Sequence, residues 1–249
     1  MDGQLTLRVF LLLFLTQPLF SQSAQEVIAK AEELLRGETS RGTFEMKVVT
    51  PEFTRSLTMD SWWVGEEKSL IVVKAPKREA GNKWLKIGNE MWNYLRATET
   101  TIKIPPSMML HSWNGSDFTN DDLARESSLS KDYTATVVGE EEVMGELCWK
   151  LQLIPSPEAA VVWGKLYVWV RQKDFLPYVD EYYDEKGTLV RYMVYTDAKR
   201  MGGRTIPTTW TMYNEIKEGH RTEFKILDME FNIPIPDGVF SFRELERGD

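Results

Sequence analysis

The sequence predicts a mainly antiparallel β protein that folds as one domain, and three observations support this prediction. Apolar and polar residues alternate with a period of two along most of the chain. Short turns join these segments too closely for helices to intervene. Hydrophobic residues make up 42% of the 249 residues and charged residues 27%, which is ordinary globular composition. We find neither a linker nor a sustained repeat.

The N-terminal region predicts export from the cytoplasm. Arg8 precedes an apolar run that is too short to span a bilayer comfortably. Ser21 and Ser23 then have the spacing of small residues at a signal-peptidase site. We therefore expect residues 1–23 to be a signal peptide and 24–249 to be a single mature domain. An uncleaved anchor is the alternative.

Two helices are expected. Apolar residues recur at helical spacing from 24 to 36, and Gly37 follows as a stop. A second, short helix is expected over residues 121–126, with Thr119 or Asn120 as its N-cap. Acidic residues in its first turn complement the helix dipole.

The rest of the chain is predicted to form about a dozen strands. The strands are expected near residues 44–48, 57–63, 70–73, 84–87, 91–95, 101–104, 134–138, 147–154, 165–170, 178–183, 189–195, 206–214 and 222–229. The turns at 184–187 and 217–219 are short enough for hairpins. A single antiparallel meander of this size must curl strongly.

The middle segment, residues 105–131, breaks the strand rhythm. A curled sheet has a concave face that needs a cover, because large exposed apolar patches are uncommon. This segment and the N-terminal helix are the available covers, and the adaptable methionines of the segment suit variable apolar shapes. The segment is either a lid over an apolar cavity or an ordinary hydrophobic plug. Its helix is short and its apolar contacts are expected to be few, so that a lid would detach at low cost.

The predicted ligand-binding residues come from the apolar strand faces and from this segment. The strands are expected to contribute Phe44, Met46, Val48, Leu57, Met59, Trp63, Trp92, Trp169, Trp210 and Met212. The underside of the lid is expected to carry Met108, Met109, Trp113 and Phe118, with its hinge fixed by residues 117–122.

Charge and cysteine content exclude several functions. The formal net charge is −8 and no basic stretch stands out, which argues against a nucleic-acid partner. Cys148 is the single cysteine, so an internal disulfide and a cysteine-based zinc site are both excluded. The acidic residues at 140–142 are interpreted as a solvated turn.

Catalytic and metal-binding signals are weak. The Gly-x-Ser-x-Gly elbow of a lipid hydrolase does not occur, and a triad of Ser116, His111 and Asp117 is the only remnant of that hypothesis. Asp117, Asp121 and Asp122 lack the spacing of a calcium loop, and helix capping accounts for acids at this place. We predict no enzymatic activity, no cofactor and no metal.

The mature chain resembles the LolA-like outer-membrane lipoprotein-sorting family over roughly residues 25–243. The resemblance rests on an opening helix that ends in Leu-Leu-Arg-Gly at 34–37, on the meander, and on Ile-Pro-Asp-Gly-Val-Phe-Ser-Phe at 235–242. It also rests on the middle segment from 104 to 123. The stretch Gly-Ser-Asp-Phe-Thr-Asn-Asp-Asp-Leu at 115–123 is the most specific part.

This resemblance implies an unclosed, strongly curved antiparallel half-barrel with a few helices as a lid over an apolar cavity. It implies a monomeric periplasmic carrier of lipoprotein or lipid acyl chains, with an inner-membrane transporter as donor and an outer-membrane acceptor. No lid-gating residue can be transferred, because no local motif matches. Two further hypotheses remain open: an envelope assembly platform that binds a peptide or partner strand, and a lipid hydrolase.

Overall fold

The computed structural model describes residues 23–124, 129–159 and 161–247. The predicted signal peptide therefore lies outside the described residues, except for Ser23. Within the described ranges the chain forms one antiparallel sheet of 13 strands and four α-helices. No helix in these ranges is long and apolar enough to cross a membrane.

The elements follow the predicted order closely. The helices are α1 (Ala24–Arg36), α2 (Asn120–Ala124), α3 (Leu129–Asp132) and α4 (Phe242–Glu246). The first six strands are β1 (Thr39–Val49), β2 (Thr54–Val64), β3 (Lys68–Ala75), β4 (Lys83–Ile87), β5 (Glu90–Leu95) and β6 (Thr100–Lys103). The others are β7 (Tyr133–Val143), β8 (Glu146–Pro155), β9 (Lys165–Arg171), β10 (Pro177–Tyr183), β11 (Leu189–Met201), β12 (Arg204–Asn214) and β13 (Arg221–Phe231).

Except at the connection from β6 to β7, consecutive strands pair with each other, and one long-range pairing joins β1 to β13. This pairing brings the two halves of the meander side by side, so that the first and second halves share one continuous sheet. The terminal strands of the sheet are β6 and β7, which do not pair with each other. The sheet is therefore an unclosed half-barrel, as the sequence predicted.

The helix α1 begins and ends where the sequence predicts. The Ser23 hydroxyl accepts a hydrogen bond from the Glu26 amide at 3.2 Å, and the Glu26 carboxylate accepts one from the Ser23 amide at 3.0 Å, which is a capping box. Gly37 ends the helix with φ of 65°. The apolar face, which includes Val27 and Ile28, packs against β7, β8 and β9.

Two covers share the concave face of the sheet. The segment from Pro106 to Ala124, called the lid below, packs against β1, β2, β3 and β13 through Met109, Trp113 and Phe118. The helix α1 covers the opposite half of the sheet, over β7 to β9. A cavity remains between the two covers.

The convex face is also partly covered, which the sequence did not predict. Residues 235–246, which include α4, pack on the outer face of β3, β4 and β5 through Phe240 and Leu245. The buried Lys83 ammonium donates to the carbonyl oxygens of Glu244 at 3.0 Å and Arg247 at 2.7 Å, which fixes the end of α4. This cover explains why β3 is apolar on both faces.

The interpretation of residues 140–142 as a turn is wrong. They continue β7, which ends at Val143, and the turn consists of Met144 and Gly145, both with positive φ. Glu141 accepts a hydrogen bond from the Trp169 ring nitrogen at 2.8 Å and forms an ion pair with Lys150 at 2.9 Å. Charges along a sheet edge discourage pairing with another chain.

Candidate ligand-binding cavity

The cavity lies on the concave face between α1 and the lid. Its volume is about 240 Å³, slightly below the range of about 300–1,000 Å³ that is typical of ligand pockets. The walls come from the end of α1, from the lid, and from β1, β2, β3 and β10 to β13. The concave face of the second half meets that of the first half here because β13 pairs with β1.

Predicted lining residues are present on the walls of this cavity. Those that line it are Phe44, Met59, Trp63, Trp113, Phe118, Trp210 and Met212. Strand register accounts for their convergence, because Phe44 lies opposite Met59 and cross-strand partners share a face.

A second group of predicted residues is buried beside the cavity without lining it. Met109 of the lid packs in one apolar cluster with Met46, Val48 and Leu57, which lie beneath the lid. Met46 and Leu57 are directly opposite each other in the β1–β2 register. These side chains support the lid from below.

Three predicted residues lie away from the cavity. Trp92 is on the convex face and packs edge-to-face on Phe242, with ring centroids 5.0 Å apart. Trp169 faces outward beside Lys150, whose ammonium lies 4.7 Å from the ring centroid. Met108 is 41% exposed. The period of two identifies the two faces of a strand but not which of them is concave, and large rings occur on both faces here.

The lid is more firmly packed than the sequence suggests. Trp113 is completely buried, with its ring centroid 5.1 Å from that of Trp84 and 6.4 Å from that of Phe224. Phe118 packs edge-to-face on Phe224 at 4.9 Å. The expectation of few apolar contacts is therefore wrong.

A buried ion pair joins the lid to the sheet. Arg191 on β11 donates to both carboxylate oxygens of Asp122, at 2.7 and 2.6 Å, and its guanidinium lies 4.5 Å from the Trp163 ring and 4.7 Å from the Tyr182 ring. Burial opposes ionisation of Asp122, but Arg191 and hydrogen bonds from Thr119 outweigh it, and the pKa is lowered. Asp122 thus remains a carboxylate.

A second polar contact joins the lid to β12 and β13. The Asp117 carboxylate accepts hydrogen bonds from the Thr222 hydroxyl at 2.8 Å and the Asn214 amide at 3.1 Å. The Asp117 amide in turn donates to the Thr222 hydroxyl at 2.9 Å. Residues 117–122, predicted as a hinge, are therefore attached to three strands of the sheet.

The weak catalytic and metal hypotheses find no support in these contacts. The Ser116 hydroxyl donates to the Trp113 carbonyl at 2.7 Å, and the Asp117 carboxylate is bonded to β12 and β13, so the two do not form a triad with the exposed His111. Thr119 caps α2, as predicted: its hydroxyl accepts a hydrogen bond from the Asp122 amide, and the Asp122 carboxylate accepts one from the Thr119 amide. Within the described residues, no three His, Cys, Asp or Glu side chains are grouped to hold a metal.

A buried carboxyl that no sequence pattern indicates lies in the cavity wall. Asp180 on β10 is 3% exposed, and its Oδ2 atom accepts a hydrogen bond from the Tyr195 hydroxyl at 2.6 Å. No donor among the described residues reaches Oδ1. Burial raises the pKa of Asp180 to about 7. The Tyr195 hydrogen bond lowers this pKa, and the negative charge of Glu32 raises it.

Three solved structures share this architecture over almost the whole chain. A DUF1329 family protein from Desulfovibrio piger is 21% identical with a TM-score of 0.81, and the match covers 89% of this chain and 97% of that one. An outer membrane lipoprotein-sorting protein domain from Vibrio parahaemolyticus is 23% identical with a TM-score of 0.77, covering 90% and 97%. A LolA superfamily protein from Nitrosomonas europaea is 23% identical with a TM-score of 0.75, covering 90% and 100%.

The half-barrel with an apolar cavity between two covers is the fold that this chain shares with these three structures. A family model described as an uncharacterized protein matches residues 65–247, which is most of the chain, and the chain belongs to that family. The LolA-like fold that the resemblance implies is confirmed. No curated protein is significantly similar in sequence.

Proposed function

We propose that this protein is a non-enzymatic periplasmic carrier that binds the acyl chains of lipoproteins or lipids in its cavity and delivers them to the outer membrane. The observation that carries the proposal is an apolar cavity lined by rings and methionines and bounded by two separate covers. Each buried CH₂ contributes about 0.8 kcal/mol, so apolar contact alone can hold a chain.

The compartment and the partners belong to the same proposal. A protein with this fold from Vibrio parahaemolyticus is described as an outer membrane lipoprotein-sorting protein domain, and the N-terminal sequence has the plan of a signal peptide. An inner-membrane transporter as donor and an outer-membrane acceptor would complete the route. We propose a monomer as the working form.

Binding of a large cargo requires the covers to separate. The cavity of about 240 Å³ is too small for a lipid with several chains, since it lies below the usual volume of drug-sized sites. We therefore propose that the lid and α1 move apart during loading. The sheet between them supplies the fixed wall.

The assembly-platform hypothesis is less well supported. The concave face where a peptide would lie is occupied by the lid and α1. The long edge strand β7 carries three consecutive acidic residues at 140–142, and charges on an edge oppose strand addition. An extended peptide also needs regularly spaced polar partners, whereas the lining is mainly apolar.

Replacing Met59 with Asp tests the position of the cavity. We expect the variant to bind a fluorescent acyl probe at least tenfold more weakly, because a charge in the apolar wall disfavours burial of the chain. Fluorescence titration measures the affinity, and circular dichroism checks the fold. Leu227→Asp on the exposed face of β13 is the control and should bind as the wild type does. Unchanged affinity in a folded Met59→Asp protein would place the binding site elsewhere.

A further inference from the structure

One wall of the apolar cavity contains a carboxyl group in which only one of the two oxygens has a hydrogen-bond donor. Asp180 points toward the cavity from β10, between Val168 of β9 and Met193 of β11, its partners in the sheet. The Tyr195 hydroxyl occupies Oδ2, while Oδ1 is buried with no donor among the described residues. A buried polar atom without a partner is costly, so a ligand that supplies a donor there gains the bond and removes the cost.

The cations around the cavity already have partners. Arg191 forms the bidentate pair with Asp122. Arg36 lies 3.3 Å from Glu66 and 4.0 Å from Glu32. The negative charge of Glu32 acts on Asp180, and the Glu32 carboxylate accepts hydrogen bonds from the amides of Leu129 and Ser130 in α3. The electrostatic potential of the cavity wall around Asp180 is therefore negative.

We propose that Asp180 is a recognition site for the polar group of the cargo, and that it selects amphiphiles with an N–H or O–H donor, above all a primary ammonium, over amphiphiles with an anionic group. The proposal rests on the proposed function, because the acyl part of the same ligand would fill the apolar cavity. An ammonium bonds to Oδ1 and neutralises the carboxylate, whereas a second carboxylate would be placed beside Asp180 and Glu32.

Three probes of equal chain length separate this proposal from the carrier function. Dodecylammonium, dodecanol and dodecanoate differ only in the polar group and are titrated against the full mature protein below their micelle concentrations. We expect dodecylammonium to bind about tenfold or more tightly than dodecanol, as hydrogen bonds to charged groups contribute, and dodecanoate to bind most weakly.

Asp180→Asn tests whether the residue is responsible. Asparagine keeps the shape and an acceptor for Tyr195 but removes the charge, so the preference for dodecylammonium over dodecanol should disappear. Glu181→Gln, the next residue along β10 and on the other face, is the matched control and should keep the preference.

A pH comparison uses only the wild-type protein, so its result does not depend on the folding of a variant. The titratable groups facing Asp180 are Glu32 of α1, Tyr182 of β10 and Tyr195 of β11, and burial keeps the pKa of both tyrosines well above the usual range. Alkylammonium binding should therefore strengthen from about pH 5.5 to about pH 8.5 as Asp180 ionises.

The outcomes distinguish the two proposals. If all three probes bind equally to the wild type, or Asp180→Asn retains the preference, recognition by Asp180 is overturned while acyl binding stands. If dodecanol and the other probes fail to bind at all, both proposals are overturned.

Discussion

At the scale of single residues, Asp180 shows where sequence reasoning fails. The stretch from Tyr178 to Tyr183 reads as a strand with acids among rings, and an acid in such a strand is ordinarily exposed. The register instead places Asp180 and Tyr182 on the concave face. Only the fold reveals that this carboxyl is buried. By contrast, the Thr119 cap is a local signal, and the sequence indicates where α2 begins.

The buried Asp180 predicts an unusual pH dependence of stability. In the unfolded chain the carboxyl loses its proton near pH 3.8, whereas in the folded protein its pKa is about 7. Between these values the unfolded state releases the proton first, so the free energy of unfolding contributed by this group falls as pH rises. The total loss is on the order of a few kcal/mol and is complete above pH 7.

Chemical denaturation at several pH values measures this slope. We expect Asp180→Asn to remove the decline between about pH 4 and pH 7, although its unpaired amide costs about 1–3 kcal/mol at every pH. Glu181→Gln should retain the decline. A wild-type slope identical to that of Asp180→Asn would show that the carboxyl is ionised in the folded protein.

At the scale of elements, the strands and α1 were predictable and the role of the lid was only partly so. Period-two alternation identifies strands because each buries at least one face, and the predicted N-terminal helix matches α1. The same pattern cannot distinguish concave from convex, which is why Trp92 and Trp169 were misplaced. The Arg191–Asp122 pair joins residues 69 apart in sequence, and no local motif indicates it.

Breaking that pair should release the lid. Asp122→Asn leaves the Arg191 guanidinium buried without its counter-charge, and removing one partner of a buried pair costs about 3–5 kcal/mol. We expect amide hydrogen exchange in residues 108–123 to accelerate far more than in β1 or β13. An acyl ligand that bridges lid and sheet should slow this exchange again.

The exposed pair between Arg96 and Glu99 supplies the control for the lid experiment. Its side chains are largely solvated, so Glu99→Gln should change stability by less than about 1 kcal/mol and leave exchange in the lid unaltered. If Asp122→Asn leaves the lid as protected as the central strands, apolar packing around Trp113 holds it, and the lid is a fixed plug.

At the scale of the whole molecule, the two covers are attached by different means. The lid is bound by a buried ion pair and by packed rings. The C-terminal end of α1 is held by Arg204, which donates to the Glu33 carbonyl at 2.7 Å, and by the pair of Arg36 with Glu66 at 3.3 Å, while Glu66 also contacts Lys131 of α3 at 2.9 Å. Partly exposed pairs contribute little, typically below about 1 kcal/mol. We therefore expect the α1 side of the cavity mouth to open more easily than the lid side.

Glu66→Gln should speed the loading of large cargo. We expect a two-chain lipid to associate several-fold faster with this variant, because the step that separates the covers loses two ion pairs, while a single-chain probe is little affected. Stopped-flow fluorescence measures both rates. Glu67→Gln, the adjacent residue, is the control. Equal rates for wild type and Glu66→Gln would indicate that the cargo enters past the lid instead.

The unpaired ends of the sheet have a consequence for capacity. In a closed barrel, strand number and stagger fix the diameter, so the interior cannot widen without breaking a ladder. Here β6 and β7 do not meet, and every ladder from β6 to β7 can persist while the curvature relaxes. The width of the concave face is then set by the ligand bound to it. The diameter of such a half-barrel can follow the size of the bound ligand. One chain could then carry cargoes of different volume without altering its strand pairing.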